Sequence, residues 1–482
     1  MLFNTISYVV FLITVTIAYW LMPTNTRRWL VLAASLLFYA LWRWEFVFLI
    51  TFSAFVDYFF SIKIYDETRE TRRKLWLILS LSTNLVLLLY FKYSYFLLGN
   101  VQQLGSLFGQ DWHFNIGRII LPLGISFYTF LSISYTVDVY RRLFTPIRNF
   151  TIYLSYVVFW PHMIAGPILR AHELIPQLTR VARFDAERFS SGMQKILYGL
   201  FLKVALADQI APYVTEAFLA KPAQLSALDV WTMAFAFGLQ IYFDFSGYSM
   251  IAIGSARLLG IEFPENFNWP YLATSPRDFW RRWHITLSSW IRDYLYLPLS
   301  GVPFRDESAG GLEVRVLEPD SVRLSLALFS AWFLMGFWHG ANWTFAFWGI
   351  WHATFIWLYR LSTPRLAALP TAVRNLGGWS LTLAVSMLGW IPFRATNLAS
   401  AFALLGRILD VHAYHTLTFR ENFYLIIMIV FLGMLSGHFL RKWLAQSSSV
   451  VRHGAEFGLL AFVGFVIFIY LRPVEQFIYF QF

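Results

Sequence analysis

Of the chain's 482 residues, 58% are hydrophobic and 13% charged, where a soluble globular protein carries roughly one quarter charged residues. Its 38 Lys and Arg against 27 Asp and Glu leave a net charge of +11. The basic residues fall in short clusters between apolar runs, which argues against a nucleic-acid partner and for an integral membrane protein obeying the positive-inside rule. The absence of cysteine excludes disulfides, thiolate metal sites, a cysteine nucleophile and S-palmitoylation.

In chain order, Ile6–Leu21 reads as a retained helix rather than a cleaved signal. No Lys or Arg precedes it, Arg27 and Arg28 follow it, and no small-x-small cleavage site is evident. Further apolar runs lie near 29–42, 46–62, 75–97, 118–140, 193–219, 229–259, 322–340, 343–360, 378–395, 423–440 and 455–472. At about 20 residues per crossing they predict an all-α polytopic membrane protein with about 11 to 12 spans. Residues 1–482 read as a single transmembrane domain, with 455–482 supplying a final helix and an aromatic tail. Phe150–Pro167 is apolar but flanked on both sides by arginines (Arg141, Arg142, Arg148; Arg170, Arg180, Arg183), so it reads as re-entrant or interfacial.

Loop charge sets the orientation. Lys63, Arg69, Arg72, Arg73 and Lys74 mark a cytoplasmic loop, whereas Leu98–Gly117 holds no Lys or Arg and belongs outside. Arg277, Arg281, Arg282, Arg292, Arg305 and Arg315 turn 261–321 toward the cytoplasm. Arg394, Arg407 and Arg420 fit this scheme least, because they sit near an outside loop. No internal repeat, Walker motif, HExxH or zinc spacing is present, and the reading calls for no metal.

Ionisable residues inside a membrane are costly and mark functional sites. Three places hold them. Gln240-Ile-Tyr-Phe-Asp244-Phe-Ser246-Gly-Tyr-Ser lies within the seventh run, where a buried hydrogen-bonded network, a direct part for Asp244 in chemistry and a role in shaping a ligand cavity are all open. In the second place, Ser275-Pro-Arg-Asp-Phe-Trp-Arg-Arg-Trp-His284-Ile-Thr-Leu-Ser-Ser-Trp-Ile-Arg-Asp-Tyr294, Ser275 and Pro276 start a helix. Asp278 and Arg282 are four residues apart, and Arg277, Arg281 and Arg292 share a helical face. An interfacial helix among anionic headgroups accounts for this pattern. So does a basic mouth for an anionic donor, with Arg277, Arg281 and Arg282 binding it above a buried His284. The third place is Trp338-His339-Gly-Ala-Asn342-Trp343. His339 falls on a glycine-flanked turn about 24 Å along the span that starts at Arg323, where an imidazole can serve as a structural hydrogen-bond partner or take a proton from a hydroxyl.

Six motifs occur in order: Pro122-Leu-Gly-Ile-Ser-Phe-Tyr-Thr-Phe, Ile164-Ala-Gly-Pro-Ile, Ile241-Tyr-Phe-Asp-Phe-Ser-Gly-Tyr-Ser, Pro264-Glu-Asn-Phe-Asn, Asp278-Phe-Trp-Arg-Arg-Trp-His and Trp338-His-Gly-Ala-Asn-Trp-Thr. Together they resemble the membrane-bound O-acyltransferase family, specifically its bacterial alginate O-acetylation branch. The resemblance implies helices around a membrane-buried cavity in the bacterial inner membrane, with catalysis at His339 and His284 as the second polar residue. Asp244, Ser246, Trp338 and Asn342 would shape the cavity. His284 or a neighbouring donor would stabilise the oxyanion or orient the thioester. The implied donor is a cytoplasmic thioester, acetyl-CoA in this branch. The implied acceptor is an exported polysaccharide such as alginate, with cellulose or peptidoglycan as alternatives, reached through extracytoplasmic partner proteins. A transporter or a scaffold without chemistry is the competing class. His162, in Trp160-Pro-His-Met-Ile, departs from the pattern, which more often has glutamine there.

The chain ends Phe477-Ile-Tyr479-Phe-Gln-Phe482. Such alternating aromatics suit an interfacial anchor. They also resemble the C-terminal motif of the small partner protein in teichoic-acid D-alanylation. By that resemblance the partner is fused here as the last span, and Tyr479 carries a hydroxyl that accepts the acetyl group transiently or guides it outward.

Overall fold

The computed structural model describes residues 3–114, 117–164, 166–301, 322–470 and 478. Those residues form helices and connections, with no strand among them. The α-helices are α1 Ile6–Leu21, α2 Thr24–Ala40, α3 Glu45–Asp66, α4 Glu70–Leu88, α5 Ser94–Leu107, α6 Ile125–Tyr140, α7 Phe150–Val158, α8 Trp160–Met163, α9 Ala171–Thr179 and α10 Ala186–Leu200. They continue as α11 Asp208–Leu219, α12 Ala227–Leu258, α13 Pro276–Trp280, α14 Ile285–Ile291, α15 Leu297–Ser300, α16 Val322–His339, α17 Trp343–Leu366, α18 Thr371–Arg394, α19 Leu398–Leu409, α20 Glu421–Gln446 and α21 Ser449–Tyr470. Two compact units result, one of Met1–Ile196 with Ile251–Pro264, the other of Leu197–Met250 with Glu265–Phe482.

By length and composition, six helices among the described residues can cross a membrane: Glu45–Asp66, Glu70–Leu107, Val322–His339, Thr371–Arg394, Glu421–Gln446 and Ser449–Tyr470. This is a multi-pass membrane protein. Three of the remaining apolar helices show two ways of falling short. α1 and α19 are apolar but have 16 and 12 residues. α12 is long, yet it carries Gln240, Asp244, Ser246 and Ser249, all buried, so protein rather than lipid surrounds these groups. The helix begun at α4 runs to Leu107, well into the stretch expected to be an outside loop, by way of a π-helical turn at Leu89–Tyr93.

In the first unit the basic loops meet each other. Arg142 donates to the Tyr65 carbonyl (2.6 Å), Arg148 pairs with Asp66 (2.6 Å), and Arg27 donates to the Ala182 carbonyl (3.0 Å). Loops expected on the cytoplasmic side therefore lie together. Phe150–Pro167 breaks into α7 and α8 at Phe159, too short for a span, in keeping with a re-entrant or interfacial reading. Between α3, α4 and α6 lies a buried polar cluster, in which Asp57 accepts from Ser80 Oγ and Asn84 Nδ2, both at 2.7 Å.

In the second unit α16 and α17 form a close antiparallel hairpin. A Cβ at Gly336 would come within 2.2 Å of the Phe345 carbonyl oxygen, and one at Gly349 within 2.2 Å of the Trp332 carbonyl oxygen. Only glycine permits backbones this near. Two of the three arginines that fit the orientation scheme poorly have partners within this unit, and Arg420 is exposed. Arg407 donates to the Leu225 carbonyl (2.8 Å) and pairs with Asp410 (3.0 Å), while Arg394 lies over the Phe218 ring.

Candidate active site

The polar residues singled out in the sequence, His162 and the tail aside, gather in the second unit. Ser275 caps α13 as expected, its hydroxyl accepting from the Asp278 amide at 3.1 Å, and Asp278 pairs with Arg282 at 3.0 Å. Arg277 and Arg281 are exposed, whereas Phe279, Trp280 and Trp283 are buried. The helix does not continue to Tyr294, however. It stops after Trp280 and resumes at Ile285, with His284 between them in the left-handed region (φ +40°, ψ +57°). That conformation costs a non-glycine residue about 1–2 kcal/mol. Long-range bonds hold it: the Ile285 amide donates to the Asn266 carbonyl (2.9 Å) and the Asn268 amide to the Arg282 carbonyl (2.9 Å).

Asn266 also sets the chemistry of His284. The Thr286 backbone amide donates to Asn266 Oδ1 at 3.3 Å, which fixes that atom as oxygen, and Asn266 Nδ2 donates to Ser249 Oγ at 3.1 Å. His284 Nδ1, 3.0 Å from Oδ1, must therefore carry the proton. The ring is fully buried between α13 and α14, outside the six spanning helices, and burial pulls its pKa down to about 3. A neutral imidazole has a single N–H, so Nε2, which has no hydrogen-bond partner among the described residues, presents a lone pair. Such a nitrogen can accept a hydrogen bond from a donor on a bound molecule.

His339 is the last residue of α16, and Asn342 caps α17 by accepting from the Thr344 amide at 3.0 Å. Asn342 Nδ2 donates to the Thr396 carbonyl at 3.2 Å, which ties the turn to the end of α18. His339 is 5% exposed and packs edge-on against Trp348, with ring centroids 5.0 Å apart. From there rings continue through Trp390 (6.0 Å), Trp283 (4.8 Å) and Phe267 (5.1 Å) to His284 (6.4 Å). The two histidines thus share one aromatic core. Tyr271 locks it, donating to the Gly238 carbonyl at 2.6 Å and accepting from Trp390 Nε1 at 3.2 Å.

Asp244 and Ser246 are buried on α12. Asp244 pairs at 2.7 Å with Lys203, which also pairs with Asp208 at 2.6 Å. Lys203 sits in the π-helical turn Phe201–Ala207, a distortion that often accompanies functional positions. The other carboxylate oxygen of Asp244 accepts from the Ile478 amide at 2.7 Å. Tyr479 itself lies outside the described residues.

The residue pattern around these groups has known counterparts. A model of the family described as "MBOAT, membrane-bound O-acyltransferase family" matches residues 141–310. A "Probable alginate O-acetylase" of Azotobacter vinelandii is 38% identical over 80% of this chain and 73% of its own length. The chain belongs to the membrane-bound O-acyltransferase family. A peptidoglycan O-acetyltransferase of Helicobacter pylori is 32% identical over 95% of this chain and 92% of its own. A teichoic acid D-alanyltransferase of Streptococcus thermophilus is 27% identical over 48% and 54%.

For a membrane O-acyltransferase, four residues of interest escaped the sequence reading. Lys203 was not singled out, and Asn266 stood only within the Pro264-Glu-Asn-Phe-Asn motif. His352 is buried and accepts from Trp280 Nε1 at 3.3 Å, so its own proton lies on Nε2 when neutral. Asp57 belongs to the first unit, as does His162, which is stacked on Phe263 at 6.3 Å. A polar residue within an apolar run was the available signal for Asp57 and Lys203.

Proposed function

We propose that this enzyme moves an acetyl group from cytoplasmic acetyl-CoA to a hydroxyl of an exported polysaccharide, working from the bacterial inner membrane. The single observation that carries the chemistry is His284 held as the Nδ1–H tautomer with a bare Nε2, in the same aromatic core as His339. Exposed Arg277 and Arg281, with Arg282 behind them, receive the phosphates of the coenzyme. The acceptor hydroxyl attacks the thioester carbonyl. Its proton passes to His339, the carbon–oxygen bond forms as the carbon–sulfur bond breaks, and the proton goes on to the departing thiolate. His284 Nε2 accepts a hydrogen bond from an amide N–H of the coenzyme and orients the thioester. Asp244, Ser246, Trp338 and Asn342 shape the cavity and keep water from the thioester.

Tyr479 is the first acceptor in this scheme. A phenol, with an ordinary pKa of about 10, needs a base to react at neutral pH, and His339 supplies it. Ile478 docked on Asp244 supports a tail seated in this unit. Extracytoplasmic partners then carry the group to the polymer. Alginate is the polymer favoured by the relatives at 36–38% identity. Peptidoglycan is the second reading, favoured by the relative that spans 95% of this chain. In cells producing each polymer, Tyr479→Phe, which removes one oxygen, is expected to abolish polymer acetylation. Normal acetylation in that variant sinks the relay and leaves the tail an anchor.

A further inference from the structure

The first unit contains a cavity of about 360 Å³ where α1 ends and α2 begins. Arg27, Arg28 and Arg180 line it with Tyr19, Thr24 and Trp29, and its wall includes no Asp or Glu. Elsewhere in this unit Arg148, Arg188 and Arg257 each face a carboxylate. The three cavity arginines form no ion pair among the described residues.

These cations are prepared rather than idle. Arg27 donates to the carbonyls of Met22 (3.2 Å), Ala182 (3.0 Å) and Trp20 (3.5 Å), and lies over the rings of Tyr19 and Trp20 at 5.1 and 4.9 Å. A guanidinium has five N–H donors, so a fixed plane still offers two of them. Arg180 makes one bond, to the Gly260 carbonyl at 3.4 Å, and Arg28 lies beside Trp29 at 5.5 Å. Three like charges around one cavity repel each other unless an anion joins them. Guanidinium forks match the oxygens of a phosphate ester.

The wall also says where that ester comes from. Val31, Leu32, Val181 and Ile261 line the cavity. Ile13, Ile17 and Leu21 on α1 are 53%, 55% and 81% exposed, an apolar track leading along the helix toward the arginines. Trp29 beside Arg28 is the pairing expected at a membrane–water boundary. The volume is at the low end of the roughly 300–1,000 Å³ of small-ligand sites, which suits a headgroup. Basic pockets of this kind on the cytoplasmic side hold anionic lipid headgroups.

We propose that Arg27, Arg28 and Arg180 form a phosphate-ester site in the first unit, filled by the headgroup of an anionic phospholipid from the cytoplasmic leaflet. This site is separate from the donor and acceptor chemistry proposed above and stands without it.

The full chain, reconstituted in nanodiscs of phosphatidylcholine with or without phosphatidylglycerol, is analysed by native mass spectrometry. Wild type should retain one phosphatidylglycerol, with occupancy falling as salt rises. The triple variant Arg27→Gln, Arg28→Gln, Arg180→Gln should retain at least tenfold less. Arg180→Gln alone changes an exposed side chain with one backbone bond, so it tests the site should the triple variant fail to fold, and a severalfold loss is expected. Displacement of the lipid by inorganic pyrophosphate would support phosphate recognition. Pyrophosphate binding without any phosphatidylglycerol retention would overturn the lipid assignment. Equal lipid retention in wild type and Arg180→Gln, or none in either, would overturn the site.

Discussion

Asn266 Oδ1 accepts from both the Thr286 amide and the His284 ring, so one carboxamide fixes the position of the ring's proton, while the Asn266 backbone carbonyl holds the strained turn. Asn266→Ala should release the proton and leave the backbone bonds in place. Turnover is expected to fall by about 10²-fold, the low end of what a positioned acid–base group contributes, with little change in donor KM. Asn266→Asp keeps an acceptor opposite Nδ1 and should recover part of the loss. A variant Asn266→Ala with normal kcat removes the reason to assign His284 a role.

Acid stability offers a second readout of the same ring. Burial lowers the folded-state pKa of His284 to about 3, against about 6.5 for an unperturbed histidine. Its neutral burial therefore stabilises the fold above pH 6.5, and the contribution is lost as pH falls toward 3, where the unfolded chain binds the extra proton. In His284→Asn, asparagine tolerates the left-handed backbone and does not titrate. The melting temperature of wild type relative to His284→Asn should drop between pH 7 and pH 4. A difference that stays constant with pH would show that His284 already titrates normally in the fold.

Ordering the charge triad by mutation separates a paired ion from a removable one. Lys203→Met strands Asp244 and Asp208 without their cation, and breaking a buried pair in this way costs about 3–5 kcal/mol. Asp244→Asn leaves Lys203 with Asp208 and should cost distinctly less. Thermal unfolding in detergent reads the order. In the cysteine-free background, Ile478→Cys keeps the amide that bonds Asp244. It should react slowly with a maleimide in wild type and quickly in Asp244→Ala. Equal rates would mean that Asp244 does not hold Ile478.

The hairpin carrying His339 gives a test of packing. Gly336→Ala pushes a Cβ against the Phe345 carbonyl at 2.2 Å, and overpacking against backbone is expected to cost at least about 2–3 kcal/mol. Gly433→Ala, on α20 with no atom within 4 Å of the added carbon, should gain up to about 1 kcal/mol from helix propensity. Yields of monodisperse protein and melting temperatures should move in opposite directions. Similar behaviour of the two variants would contradict the close approach of α16 and α17.

What the sequence made legible was local. The cap at Ser275, the Asp278–Arg282 pair and the turn at Gly340–Asn342 follow from residues within four positions of each other. Asn266 meets His284 from 18 residues away, and Lys203 reaches Asp244 from 41, along partners no periodicity connects. The break at His284 was hidden for the same reason: helical spacing across Arg277, Arg281 and Arg292 is satisfied by the residue types, while long-range bonds from Asn266 and Asn268 decide the backbone. Counting spans by apolarity met a further limit in α12, whose polar groups are buried inside protein and lower its hydropathy.

The central claim is that a buried His339 drives cleavage of a cytoplasmic thioester, and the missing cysteines make it directly measurable. Any thiol that appears when the purified protein meets acetyl-CoA is released coenzyme. Wild type should liberate thiol and transfer label from radioactive acetyl-CoA. His339→Ala, folded and with an unchanged melting profile, should do so about 10²- to 10⁴-fold more slowly, the range of a lost general base. Thiol release at the wild-type rate in His339→Ala, or acetyl-CoA left intact by wild type, would contradict the account.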